Sequence, residues 1–235
     1  MRNMQPPEKS VSGPGDTLAV NSVFHTIQGE GPFAGCPAVF LRLAGCNLQC
    51  PLCDTEYTAR DAYSVEEIVR TVRGATPTDS QPPRLVVITG GEPLRQPIGK
   101  LVRMLLYLGH EVQIETNGTL YRADLPYLHK RLTIVCSPKA GAVHRLLAPH
   151  IGAWKYVASH DNINPADGLP DHALEHPNGR GLARPPAGHP APVYLQPVDH
   201  KNTAANARAQ RAVVEACLKY GHRLCLQMHK IVGVD

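Results

Sequence analysis

No apolar run in this 235-residue chain approaches the roughly 18 residues that a membrane-spanning helix needs. The first fifteen residues carry prolines and Glu8 where a signal peptide would carry an apolar stretch. Strong charge of either sign is also missing. Lys and Arg number 24 against 20 Asp and Glu, a net +4 with His neutral, which is far from the clustered basicity of a duplex-binding protein and suits an anionic small substrate. A disulfide framework is disfavoured by an odd count of seven cysteines, three of them within eight residues. These absences point to a cytoplasmic protein with no nucleic-acid or membrane partner. With 43% hydrophobic residues, one globular domain is expected, able to bury roughly 70 to 75% of its unfolded surface. Such a core folds without a metal, so any metal would serve chemistry.

What is present is an alternation of short, β-branched apolar runs with helix-like stretches. Residues 1–17, rich in proline and polar side chains, are expected to form a flexible arm. Strands are predicted over 38–43, 85–89, 111–115, 132–136, 154–158, 193–196 and 223–227. Ser64 and Glu67 have the spacing of a capping box ahead of Ile68, Val69 and Val72, which predicts a helix from about Ser64. Further helices are predicted over 98–108, closed by Gly109, and 205–220, closed by Gly221. Six or seven βα units with right-handed crossovers imply an α/β fold with a parallel sheet curling toward a barrel. A full eightfold barrel takes about 250 residues, so an incomplete TIM-type barrel is expected, a single domain over 18–235. The stretch 161–192 breaks the pattern with seven prolines and is read as a surface insertion. Its His172, His176 and His189 are irregularly spaced, which favours a solvated loop over a metal site.

Directly after the first predicted strand, Cys46, Cys50 and Cys53 place three thiols on one loop. Three soft ligands suit an iron–sulfur cluster. A structural zinc site wants four protein ligands, commonly in two separated pairs, and the chain has no second close pair; zinc stays the alternative from spacing alone. A cubane held by three cysteines leaves one iron open to a small molecule. Cys36, Cys136, Cys217 and Cys225 lie in or beside apolar segments and are expected as buried structural thiols. Polar motifs fall at the ends of successive predicted strands: Gly90-Gly91-Glu92-Pro93, Glu115-Thr116-Asn117-Gly118, Ser137-Pro138-Lys139 and Gln196-Pro197-Val198-Asp199. Barrel active sites gather at that edge, so one pocket collecting all four is expected.

The spacing Cys46-x3-Cys50-x2-Cys53 resembles the radical S-adenosylmethionine (SAM) superfamily, and Gly90 to Pro93 is similar to its GGEP motif. Within that superfamily, Phe24-His25-Thr26-Ile27-Gln28-Gly29-Glu30-Gly31 and Gln227-Met228-His229-Lys230 resemble the 7-carboxy-7-deazaguanine synthase family, with 161–192 unmatched. The resemblance implies a 4Fe–4S cluster on Cys46, Cys50 and Cys53 and a magnesium ion on Thr55. It implies SAM against Leu52, Cys53, Asp54, Gly91, Glu92, Ser137, Pro138, Lys139, Gln196, Pro197, Val198 and Asp199, with Glu92 and nearby backbone holding the SAM ammonium group. The implied substrate is 6-carboxy-5,6,7,8-tetrahydropterin, contacted by Ile27, Gln28, Gly29, Glu30, Arg42, Thr89, His229 and the terminal carboxylate of Asp235. The implied reaction is a radical ring contraction to 7-carboxy-7-deazaguanine with loss of ammonia, on the route to queuosine and other 7-deazapurines. SAM, cleaved reductively, supplies a 5′-deoxyadenosyl radical and is regenerated, so no side chain takes the catalytic role itself. A homodimer and an electron donor such as flavodoxin or ferredoxin are further implications. Leu52 stands where many relatives in the superfamily carry an aromatic residue.

The residue chemistry agrees with these roles. An arginine can grip a carboxylate bidentately, a glutamate accepts from amide and amine donors, and magnesium keeps hard oxygen ligands and waters. Taken alone, Arg42 also reads as a surface ion-pair partner, Glu30 and Thr55 as turn residues and His229 as a cap at a strand end. Two rival functions are a glycyl-radical-enzyme activase, which acts on a partner protein, and an interaction module with structural zinc.

Overall fold

The computed structural model describes residues 2–76, 84–175 and 181–234; His176, Pro177 and Asp235 lie outside them. The strands are β1 (Thr17–Ile27), β2 (Pro37–Leu43), β3 (Asp61–Ser64), β4 (Leu85–Gly90), β5 (Glu111–Thr116), β6 (Leu132–Cys136), β7 (Ile151–Ala158), β8 (Val193–Pro197) and β9 (Arg223–Leu224). They form one sheet in the order β3-β1-β2-β4-β5-β6-β7-β8-β9. From β2 to β9 each neighbouring pair is parallel, whereas β1 runs antiparallel to both β2 and β3. The two edges do not meet, so the barrel is open, as its length requires.

Helices are fewer than a regular βα alternation demands. The described residues contain α1 (Val65–Gly74), α2 (Gly99–Tyr107), α3 (Thr203–Tyr220) and the short α4 (Met228–Val232). The connections from β5 to β6 and from β6 to β7 carry no α-helix. Strand β1 was not foreseen, because its sequence mixes apolar with polar residues as a half-buried antiparallel strand does. The strand expected over 223–227 pairs with β8 only at Arg223 and Leu224. Helix α1 begins at its expected cap and α3 ends at its expected glycine, whereas α3 starts at Thr203 on an Asn202 cap and α2 ends with Leu108 rather than Gly109 at its C-cap. Ser64 accepts from the Glu67 N–H and the Glu67 side chain accepts from the Ser64 N–H, while Gly221 closes α3 in the left-handed region.

One face of the sheet is apolar and packs under the helices. Leu41, Leu43, Ile88, Ile114 and Tyr156 meet Ile68, Leu101 and Leu105 in the main core, each burial stabilising by roughly 1.5 to 3 kcal/mol. The other face is the inside of the open barrel, plugged at its lower end by two small clusters, Ala38, Leu85 and Val87, and Val135, Ala153, Tyr194 and Cys225. The upper end, above these clusters, is left open as a cavity and holds the site.

Three expectations need correction. Residues 2–16 do not hang free: their backbone donates from Asn3 to the Pro51 carbonyl, from Glu8 to that of Cys46 and from Val11 to that of Arg95. The stretch 161–192 is not only surface, since Leu169, Ala173, Leu182 and Ala183 are buried. Within it Arg184 pairs with Asp167, and His189 accepts from the Trp154 indole of β7 at 3.2 Å, a packing role rather than a metal site. Finally, Cys36 is exposed, whereas Cys136, Cys217 and Cys225 are buried as expected.

These contributions separate by size. Ser64→Ala removes one helix cap and should cost about 1 kcal/mol, whereas Leu41→Ala opens the fully buried core and should cost about 2 to 5 kcal/mol. Urea unfolding followed by circular dichroism reads both, and equal losses would contradict the division into cap and core.

Candidate active site

The loop over 44–57 crosses the C-terminal end of β4 so closely that only glycine fits at the crossing. A Cβ on Gly91 would sit 2.2 Å from the Gly45 carbonyl oxygen, and one on Gly90, at φ +125°, would sit 2.0 Å from that of Leu43. The close approach at Gly91 is therefore to the cysteine loop itself, and that at Gly90 to the end of β2 from which the loop departs. Beneath the crossing, the carboxylate of Glu92 is fully buried. It accepts from the Leu94 N–H at 2.9 Å, the Thr116 hydroxyl at 2.8 Å and the Asn117 N–H at 2.7 Å. Burial pushes its pKa up to about 6 against the pull of these donors. Asn117 also donates to Asn47 at 2.9 Å, tying the cysteine loop to the end of β5.

Cys46, Cys50 and Cys53 open on one cavity of about 770 Å³ at the upper end of the barrel. Cys46 and Cys50 are each 8% exposed, and the Cys46 sulfur accepts from the Leu48 N–H at 3.4 Å. Burial raises all three thiols, Cys46 to about 12 and Cys50 to about 11. No three His, Cys, Asp or Glu side chains among the described residues are gathered as a single-ion site. Three soft sulfur donors at the wall of a large cavity fit a cluster. Thr55 and Asp54 line the same wall and supply hard oxygens of the kind magnesium takes.

Most of the expected residues converge on this cavity. Leu52, Asp54, Gly91, Ser137, Lys139, Gln196, Val198 and Asp199 line it, as do Ile27, Gln28, Glu30, Arg42, Thr89 and His229. Pro138, Pro197 and Glu92 are not among the lining residues; the Glu92 carboxylate faces the loop and β5 instead. Gly29 also sits behind the wall. A Cβ there would fall 2.1 Å from Nδ1 of His229, so this glycine lets α4 close over β1.

Away from the cysteines, two stacked rings, Phe24 and Phe40, form an apolar floor with centroids 5.4 Å apart. The Arg42 guanidinium lies 5.3 Å above Phe24, and its buried Nε has no hydrogen-bond partner, an orphaned donor of the kind a carboxylate would satisfy. The Glu30 carboxylate is held by an ion pair with Lys155 and by Gln227, which donates at 2.9 Å. Burial alone would push the Glu30 carboxyl up, but Lys155 and Gln227 bring it down to about 2. Glu115 accepts from Thr89 and Gln113, each at 2.9 Å, and from Gln28 at 3.2 Å.

Sequence reasoning missed Phe40, Lys155, Glu115 and Gln227 as site residues. Two of them left a signal. Lys155 interrupts the apolar run Ile151–Ala158, and a lysine is almost never buried in a strand unless it is paired. Glu115 stands in a strand-end motif that had been singled out without a role.

Residues 41–139 match the model of the radical SAM superfamily. The chain is 46% identical to a 7-carboxy-7-deazaguanine synthase of Rhodospirillum rubrum, over 94% of each chain. It is 39% identical to the one of Rickettsia prowazekii, over 97% of this chain and 94% of that one. Among solved structures it is similar to QueE from Escherichia coli, at a TM-score of 0.67 and 25% identity over 90% of this chain and 94% of that one. Given relatives this similar over nearly their whole length, the chain belongs to the 7-carboxy-7-deazaguanine synthase family of radical SAM enzymes.

Proposed function

We propose that the cavity converts 6-carboxy-5,6,7,8-tetrahydropterin to 7-carboxy-7-deazaguanine with release of ammonia. The observation that carries this reading is the pairing of two ends in one cavity: three thiols on one wall, those of Cys46 and Cys50 buried, and elsewhere an orphaned arginine donor, an ionised glutamate and an aromatic floor. The activase reading needs an opening for a partner protein and gives no reason for Glu30 or Arg42. The zinc module gives way to membership of a radical SAM family.

Cys46, Cys50 and Cys53 would hold the 4Fe–4S cluster, with SAM along Leu52, Asp54, Gly91, Ser137, Lys139, Gln196, Val198 and Asp199, and magnesium on Thr55. When bound, this group supplies a 5′-deoxyadenosyl radical to the substrate. The chain's own work is positioning. Arg42 pairs with the substrate carboxylate bidentately, the Phe24–Phe40 floor carries the flat ring, and Glu30 accepts from the amide and amine edge. Lys155 keeps Glu30 anionic and fixes its direction. His229, brought over Gly29 by α4, closes the cavity and limits water entry. Residues 18–235 act as one catalytic domain. The enzyme works in the cytoplasm as a homodimer and takes electrons from a flavodoxin or ferredoxin; no helix among the described residues is long and apolar enough to cross a membrane.

The direct test is anaerobic turnover of reconstituted enzyme with reductant, magnesium, limiting SAM and excess pterin, read by mass spectrometry. Several equivalents of 7-carboxy-7-deazaguanine per SAM are expected; 5′-deoxyadenosine and methionine without it would reject the substrate. Cys50→Ser should abolish both iron uptake and product, and full activity with normal iron content would remove Cys50 from the ligand set.

A pH profile isolates Glu30. Its folded pKa is depressed, so it stays ionised at any pH above about 5, and the KM for the pterin should be insensitive to this group between about pH 6 and 8. Lys155→Met removes the main force opposing burial and raises the Glu30 pKa. Pterin binding should then weaken as pH falls, with KM rising about tenfold or more, while Lys155→Arg keeps the flat profile. A flat KM profile in Lys155→Met would exclude the role given to the pair.

A further inference from the structure

The prolines and polar residues at the start of the chain carry more than a tether. Along residues 2–10 the half-buried positions are Asn3, Gln5 and Glu8, with exposed residues on either side. All three aim at the cysteine loop. The Asn3 backbone N–H donates to the Pro51 carbonyl at 2.8 Å, and its side-chain amide to that of Cys50 at 3.1 Å. The Gln5 amide donates to the Thr55 carbonyl at 2.9 Å while its oxygen accepts from the Tyr57 N–H at 2.7 Å. The Glu8 N–H donates to the Cys46 carbonyl at 2.6 Å. In return, Gln49 and the Tyr57 hydroxyl donate to the Gln5 carbonyl at 2.9 and 3.1 Å. Two of the cysteines, and the residues flanking the third, thus have their backbone carbonyls capped by this one segment.

The segment is itself pre-set. Asn3 Oδ1 accepts from the Gln5 N–H at 2.9 Å, an Asx turn, and Pro6 and Pro7 restrict the backbone before Glu8, lowering the entropy lost on ordering. Its C-terminal end is anchored. The Glu8 carboxylate pairs with Arg60 and, at 3.3 Å, with buried Arg95, and the Arg95 guanidinium also donates to the Lys9 carbonyl at 2.9 Å. The cysteine loop has no helix or strand of its own, so these bonds replace a ladder.

We infer that Asn3, Gln5 and Glu8 are positioning residues for the metal cluster: the N-terminal segment is a strap that holds the cysteine loop in its ligating conformation. The inference rests on the cysteines' role as cluster ligands given above. Cluster loss needs the loop to open, and opening breaks the strap's bonds; each bond removed therefore accelerates loss through the local opening equilibrium.

The test compares the full chain with a variant lacking residues 2–9, with Gln5→Glu, which keeps the acceptor for Tyr57 and loses the donor to Thr55, and with Asn3→Asp. Hydrogen exchange in the metal-free proteins is read over residues 44–57 and, as control, over β4 to β6. Iron release to a chelator is then followed in the reconstituted proteins under anaerobic conditions. Expected are exchange in the loop and iron release accelerated at least about tenfold in the truncation and about threefold in each point variant, with exchange in β4 to β6 unchanged. Unchanged loop exchange, or acceleration spread equally through the sheet, would overturn the strap. If the truncation does not fold, the two point variants decide on the same readouts. Failure of the full chain itself to take up iron would reject the cluster assignment instead, and the metal-free exchange data would still judge the strap.

Discussion

A loop outside helix and sheet must find donors for its carbonyls somewhere, because buried backbone groups are almost always paired, and the cysteine loop imposes that demand on everything around it. The Gly45 carbonyl takes the Glu92 N–H and the Ala44 carbonyl takes both Arg95 and Gln96. Those donors come from the turn that follows β4, which reaches the loop only because Gly90 and Gly91 have no side chain. Glu92 then turns its carboxylate away and bonds the end of β5. A motif that might be valued for what it offers a ligand is, in this chain, first a device for passing one backbone over another.

The buried acids of the site divide by their partners. Glu92 sees hydrogen-bond donors and little positive charge, so burial wins and its pKa rises to about 6. Glu30 is less deeply buried, its side chain 14% exposed, and faces an ammonium, so attraction in a low-dielectric site outweighs desolvation. The first therefore suits a structural link that tolerates protonation, the second a fixed anion presented to a ligand. Two carboxylates, one behind the cavity wall and one lining it, are set apart by environment rather than by type. The ion pair has a cost, since an isolated Lys155 in that strand would be unfavourable; it persists because each partner satisfies the other and Gln227 takes a remaining lone pair.

Much of this was legible in the chain. The capping box at Ser64, the three-thiol loop and the strand-end motifs follow from local rules, and local rules survive folding. Two kinds of feature were not. Strand β1 is half-buried and antiparallel, so its pattern is neither the apolar run of a parallel strand nor a clean alternation. The Pro-rich start reads as loose because its bonds go to carbonyls some forty to fifty residues away, and nothing in composition announces a distant acceptor. Cys36 was misjudged for a related reason: a thiol beside an apolar strand need not point into the core.

The remaining omissions share one cause, the assumption that a buried parallel strand is apolar on both faces. In an open barrel the inner face at the strands' upper ends meets a cavity instead of a layer of side chains. The residues there alternate sharply with the core: Arg42 between Leu41 and Leu43, Glu115 beside Ile114, Lys155 between Trp154 and Tyr156, Gln196 beside Leu195. The pairing of Arg42 with Thr89 across β2 and β4 sets two such positions side by side. A polar residue flanked by core residues near the end of a parallel strand is thus the trace that the cavity leaves in the sequence. Applied to this chain, that rule finds Lys155 and Glu115 without reference to any motif, because side-chain direction alternates along a strand while the core lies on only one side of it.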